Sequence, residues 1–310
     1  MVTRVSTVGN YSAVLQNLLA AQSRQAEAGE QVATQKNGKD LKDYARSAEM
    51  LTGMRSLQTR LDVYAEQNKL IGDKLATQDM ALNQMMEAAN GARQAILDAI
   101  ASDRADTLME ELNAHMRNAV EGANTRYGGK YLFAGGRVDT KPVTAQQTSD
   151  LTLPPGIIML FFQNDTFKPQ AKLDDSTTVT TGMLAHEILE PFLTGLQAVQ
   201  GFHESVDGPF NGRLTDAQRT FLQGQLASWD TIRSDLTLDV GKNGLVRQRV
   251  DKVKDDLVTR QTTLAGMMGD IVDADMAKAA VNLEAAQMAV QSAAQVFLTL
   301  QSTSLLNFLK

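Results

Sequence analysis

Apolar residues recur along much of this chain at alternating spacings of four and three. The longest run is Leu57, Leu61, Tyr64, Asn68, Ile71, Leu75, Gln78, Leu82, Met85, Ala89, Ala92 and Ile96. A 4-3 spacing held that far predicts a helix with a coiled-coil seam, about 60 Å long at 1.5 Å per residue. A second seam is expected after Gly241–Gly244, at Val246, Val250, Val253, Leu257, Arg260, Leu264, Met267, Ile271 and Ala274, as its antiparallel partner. A third runs through Met276, Ala279, Leu283, Ala286, Val290, Ala293, Phe297 and Leu300 in a displaced phase. The phase break at Gly269–Asp275 marks a hinge or layer boundary. Near the N-terminus, Val14, Leu18, Ala21, Ala28 and Val32 form a weaker stripe that stops near Asn37-Gly38, a C-terminal glycine signal.

Between the arms the period changes. Ser102 or Asp103 is placed to cap a short helix carrying Leu108, Leu112, Met116, Ala119 and Ala123, which ends at Tyr127-Gly128-Gly129. Strand-like pieces at Ile157–Phe162 and Thr177–Thr181 are separated by Pro-Pro-Gly, Asn-Asp and Asp-Asp turn signals. A helix around Met183–Val199 and another starting at Thr215 or Asp216 return the chain to the arms. All six prolines fall between Pro142 and Pro209. Since a proline inside a helix costs about 3 kcal/mol, this distribution separates helical arms from an inserted module. The expected fold is mainly α, with long antiparallel coiled-coil arms from both termini and a small inserted β-rich module. Its expected divisions are residues 1–40 with 276–310 as a terminal helical assembly domain, 41–136 with 211–275 as a coiled-coil bundle, and 137–210 as the outer module.

Composition supports thin layers of helices: aromatics are 5% of 310 residues, too few for a wide core. Zero cysteines exclude disulfides, thiolate metal sites and cysteine nucleophiles. The net charge is −6, and the most basic stretch, Arg247–Lys254, is interrupted by Asp251, which argues against nucleic acid as a partner. The N-terminus shows no cleavable signal pattern. Ala285–Leu309 has no charged residue, but its many glutamines, serines and threonines argue against a membrane span and for burial against protein on several sides. The two terminal stripes alone bury little area against their chain entropy, so they are expected to order fully when other subunits cover them. Candidate assembly residues are therefore Leu18, Ala21, Leu283, Val290, Ala293, Phe297 and Leu300.

Catalytic chemistry finds no support. His186-Glu187-Ile188-Leu189-Glu190 lacks the second histidine of a zinc helix and reads as a polar patch at a helix end; His115 and His203 have no ligand-spaced partner. Asp273 and Asp275 fit a helix N-cap better than a cation loop. The Gly128-Gly129 and Gly135-Gly136 pairs read as turns. The chain is read as a non-enzyme with no cofactor.

Three blocks resemble the bacterial flagellin family. Ile271-Val272-Asp273-Ala274-Asp275-Met276-Ala277 and the Ala- and Gln-rich helix after it are similar to the family's C-terminal region. Asn68–Ile100 is similar to its N-terminal helical region. Tyr127–Gly135, whose motif positions are Tyr131, Phe133, Ala134 and Gly135, resembles a block of the family's hook–filament junction members, as does the ending Leu300–Lys310. The Asp-Ala-Asp block is more like the filament subunit, flagellin, which stays open as the alternative. A surface glycan-binding flagellin-like protein is a remoter one. The resemblance implies a structural, motility-related protein outside the cell, exported by the flagellar type III route without cleavage. Implied partners are hook-associated protein 1, flagellin, further copies in a ring, and an export chaperone.

Overall fold

The computed structural model describes the backbone of residues 2–308 and the side-chain surroundings of residues 12–299. In chain order the elements are α1 (Val2–Thr34), α2 (Ala48–Ser102), α3 (Leu108–Ala123), the ribbon β1 (Arg126–Tyr127) and β2 (Lys130–Tyr131), the ribbon β3 (Gln170–Lys172) and β4 (Thr178–Thr180), α4 (Ala185–His203), α5 (Asp216–Val272) and α6 (Met276–Phe308). Three 3-10 turns lie at Leu41–Tyr44, Thr148–Thr152 and Ile158–Phe161. The chain divides into two compact units, Asp62–Val258 and Met1–Leu61 with Thr259–Lys310. The mainly helical fold with long terminal helices and a small antiparallel β part is as the sequence predicts.

In the unit Asp62–Val258, α2 and α5 run antiparallel. Arg93 pairs with Asp230 at 2.8 Å and Arg247 with Asp79 at 2.9 Å, so rising numbers on one helix meet falling numbers on the other. The expected seam holds from Leu75 through Leu82, Met85, Ala89, Ala92 and Ile96, all buried. On α5 the buried positions Leu222, Trp229, Ile232, Leu236, Asn243, Val250, Val253 and Leu257 form one uninterrupted stripe. No new seam starts at the glycines: Gly241 and Gly244 sit on the open side, where an added Cβ meets nothing within 4 Å.

The core of this unit is wider than the composition suggests. Aromatics are scarce overall, but all but two of the ten phenylalanines lie between Phe133 and Phe221. Phe192 meets Trp229 edge-on, with centroids 5.6 Å apart, and Phe202 stacks on Phe221 at 4.1 Å. Concentrating the rings in one place builds a conventional core where α3 and α4 cover α2 and α5. Gly195 allows the close approach of α4, since a Cβ there would lie 3.0 Å from Ile232 and 3.3 Å from Trp229.

The inserted segment has less strand than its apolar runs predict. Thr178–Thr180 is a strand, paired with Gln170–Lys172. Ile157–Phe162 is not: Ile158–Phe161 is a 3-10 turn burying Ile158, and Ile157 and Leu160 are exposed. Short apolar runs are ambiguous between states, and here Pro154-Pro155-Gly156 sets a turn before pairing begins. Other local readings also shift. Thr107, not Ser102 or Asp103, precedes α3, because α2 continues through Ser102. Thr215 does start α5, in a reciprocal box: Gln218 N–H donates to Thr215 Oγ1 at 3.2 Å, and Thr215 N–H to Gln218 Oε1 at 3.1 Å.

In the other unit α1 packs antiparallel on α6. The end of α1 is tied to the start of α6 by Ala274 N–H to Gln35 O at 2.9 Å and Asn37 N–H to Val272 O at 2.8 Å. The helix stop lies at Gln35, which takes the left-handed conformation at φ 58°, not at Gly38. Three expected seam residues face outward here: Leu57, Arg260 and Met267. Their places are taken by neighbours one residue on, the half-buried Gln58, Gln261 and Met268, a one-residue drift that a 3.6-residue helix makes against a strict heptad.

Candidate assembly faces of the terminal helices

The α1–α6 pair is held by small residues. Ala21 and Ala28 on α1 and Ala279 and Ala286 on α6 are 5%, 6%, 3% and 7% exposed. Gly29 lets the backbones approach; a Cβ there would stand 3.9 Å from Leu283 Cδ1. Around these lie the half-buried Leu18, Leu283, Val290, Ala293 and Phe297. Six of the seven predicted assembly residues are thus brought together on the seam between the chain's own two helices. The seventh, Leu300, has a side chain outside the described residues.

The predicted list missed the other side of α6. Val281, Met288 and Val296 are 64%, 56% and 50% exposed. Val281 and Met288 each precede a seam residue, Leu283 and Val290, by two positions, or about 200° of helical rotation. Helix α6 therefore carries apolar residues on opposite faces, one closed by α1 and one open. Leu19 on α1 and Leu298 on α6, 56% and 61% exposed, add to the open surface. The signal was available in the sequence: a helix with no charge from Ala285 onward has no charged face to mark its solvent side. What the period could not show was which of two apolar stripes its own partner would take.

The motif residues have structural work. Asp275 caps α6, accepting from Ala277 N–H at 3.0 Å and Lys278 N–H at 3.1 Å through Oδ1. Asp273 gives its carbonyl to Asn37 Nδ2 at 2.8 Å and its backbone pairs with that of Lys36 in a single antiparallel β-bridge, while Ala274 makes the bond to Gln35, so this block holds the α5–α6 junction against the end of α1. In the other block, Gly128 and Gly129 form the two-residue turn between β1 and β2, with φ of 56° and 81°. Arg126 lies over the Tyr131 ring, 4.1 Å from its centroid. Phe133 and Ala134 are fully buried, and the Phe133 carbonyl accepts Ala185 N–H at 3.0 Å, fixing the start of α4. Gly135, at φ 69°, admits Asp165; a Cβ would fall 2.1 Å from its Oδ1. That oxygen accepts from Gly136 N–H at 2.8 Å and Phe167 N–H at 3.0 Å, and these bonds hold the carboxyl below its usual range.

The histidines are packed into the fold. His115 covers Gly91, where a Cβ would overlap the imidazole at 2.1 Å, and burial lowers its pKa. His186 Nδ1 lies 2.6 Å from Asn164 Nδ2, and Glu187 pairs with Lys168 at 2.7 Å. The His186–Glu190 stretch belongs to the first turns of α4, which continues through Pro191 instead of ending before it. Among the described residues no group of three or more His, Asp or Glu is placed to hold a metal ion, and no helix is long and apolar enough to cross a membrane.

Comparison with known families adds a decisive observation. Residues 5–137 match the bacterial flagellin N-terminal helical region and residues 224–309 the bacterial flagellin C-terminal helical region, together most of both arms. The chain belongs to the bacterial flagellin family. No curated protein matches it in sequence. Solved structures share the flagellin-family fold at low identity. One, described as a putative flagellar hook-associated protein from Vibrio parahaemolyticus, has a TM-score of 0.62 at 15% identity, covering 74% of this chain and 100% of that one. Another, Bacillus cereus FlgL, has a TM-score of 0.52 at 14% identity, covering 71% and 99%.

Proposed function

We propose that this chain is a structural subunit of the bacterial flagellum that joins hook-side subunits to the filament, of the hook-associated protein 3 type. The carrying observation is α6: a family C-terminal helix with one apolar face closed by α1 and a second face, Val281, Met288 and Val296, open. A neighbouring subunit that covers this face completes the burial that one chain leaves unfinished. The hook-associated description of the Vibrio parahaemolyticus structure favours the junction over the filament subunit, and so does the Tyr127–Gly135 block.

On this reading the terminal helices, residues 1–40 and 276–310, pack axially with hook-associated protein 1 on one side and flagellin on the other. Residues 41–136 and 211–275 form the surrounding tube, and residues 137–210 lie outermost. The subunits close into a ring outside the cell after type III export, delivered by a chaperone. The Asp273-Ala274-Asp275 block keeps flagellin as the second reading.

Two measurements test this. Removal of the last 25 residues should leave a folded protein that no longer enters hook–filament assemblies; normal incorporation would overturn the assignment. Purified protein added to filament seeds should stop after a short ring, whereas long filaments would make it a flagellin.

A further inference from the structure

The unit Asp62–Val258 holds a cleft of about 500 Å³ that the assembly reading does not use, lined by α2, α5, the end of β4 and the start of α4. Its floor contains two buried side-chain amides. Gln78 and Asn243 are 1% and 2% exposed, and Gln78 Oε1 and Asn243 Oδ1 have no hydrogen-bond partner. The Asn243 amide has a fixed sense, because its Nδ2 donates to Leu75 O and Asp79 Oδ1, both at 3.2 Å, leaving the oxygen as the free acceptor. Buried acceptors without partners are rare and costly. Pro191, also on the wall, has no N–H to offer the carbonyl of Glu187.

The rim is acidic. Glu187 is paired with Lys168 at 2.7 Å and Asp239 with Lys242 at 2.8 Å, while Asp235 has no ion-pair partner among the described residues. The hydrogen bond and charge of Asp239 raise the Lys242 pKa, with smaller contributions from Glu187 and Asp235. Leu75, Leu238 and Val246 supply apolar wall between floor and rim.

Free acceptors below, surplus carboxylate above and aliphatic wall between them select a ligand with several N–H donors, a positive charge and an alkyl stem. We infer that this cleft binds an alkyl cation of the arginine type, a guanidinium head on a short aliphatic chain. A planar fork of five donors meets acceptors on separate elements while carrying the charge that the rim selects, where a neutral primary amide offers two donors and no charge. The cation comes either from a free small molecule or from a side chain shown by another protein.

Side-chain amide NMR of the full chain decides the matter with three probes: agmatine, N-acetyl-arginine methylamide and the uncharged N-acetyl-citrulline methylamide. Both cations should give saturable shifts at the Gln78 and Asn243 amides, with the citrulline analogue at least about tenfold weaker. Agmatine binding as tightly as the arginine amide identifies a free ligand; an arginine amide about tenfold tighter identifies a displayed side chain. Gln78→Leu should abolish the shift at Asn243 without lowering Tm, because it removes an unpaired buried acceptor. Asp235→Asn, on the exposed rim where folding is not at stake, should weaken cation binding at least about threefold. No shift up to about 20 mM, equal response to the neutral analogue, or unchanged affinity in Asp235→Asn would each overturn the inference.

Discussion

Replacing Val281 and Met288 together by aspartate perturbs the open face of α6 while leaving its seam with α1 alone. Both side chains are more than half exposed in the single chain, so the variant should match the parent in helical content and Tm. Complete burial of a valine or methionine is worth about 1.5–3 kcal/mol. With a little over half of each surface still available, a covering neighbour recovers about 1 kcal/mol per side chain, or about 2 kcal/mol for the pair. The lost contacts alone weaken association about thirtyfold. Burying two new carboxylates without partners adds several kcal/mol more, enough to stop incorporation. Circular dichroism and size-exclusion chromatography report the isolated fold, and incorporation into hook–filament assemblies reports the face. Normal incorporation of a folded double variant would refute the claim that this face is covered; loss of the monomer's own helices would refute the claim that it is free.

Other outcomes follow from particular contacts. Gly72→Ala, Gly241→Ala and Gly244→Ala place a methyl in open space on helices and should each stabilise by about 0.5–1 kcal/mol in chemical denaturation, whereas Gly91→Ala drives a Cβ into His115 and should destabilise. Gly135→Ala combines a positive φ with a clash on Asp165 and should cost about 1–3 kcal/mol, read as a lower Tm with exposure of the Phe133 region to hydrogen exchange. Asp275→Ala removes the two capping bonds at the start of α6 and should cost about 1 kcal/mol, visible as fraying there by hydrogen exchange. Asp103 is held below the usual carboxylate range by its hydrogen bond with Arg213 and by Arg219. Because the folded pKa is depressed, its stabilisation is present above the unfolded pKa and lost as pH falls through the folded one. Asp103→Asn should therefore lower Tm at neutral pH and narrow the gap to the parent under acid; a gap that stays constant with pH would refute this.

Much of the fold was legible because helices write themselves locally. The Leu75–Ile96 stripe, the Thr215 cap, the Gly128-Gly129 turn and the Asp275 cap depend on residues within a few positions of one another, and one period or one side-chain oxygen suffices to specify each. The same holds for the apolar seam of α6 and for the absence of any charge on its outer half. The family blocks at Tyr131–Gly135 and Asp273–Asp275 were visible too, though not what they hold in place.

Tertiary structure decided what periodicity leaves degenerate. Ile157–Phe162 has the composition of a strand, but only Phe162 pairs, in a single bridge with Val143, while Gln170–Lys172 and Thr178–Thr180 form the ribbon. Few aromatics suggested thin layers throughout; the fold gathered Phe133, Phe192 and Trp229 from distant parts of the chain into one core. Gln78 stood in the sequence as a polar position of the first seam, and only the chain's return placed it with Asn243 at one cleft. Helix α6 presents two apolar stripes that no local rule ranks. Packing of Ala21 and Ala28 against Ala279 and Ala286 filled one, because small side chains let the two backbones approach, and left Val281, Met288 and Val296 exposed on the other.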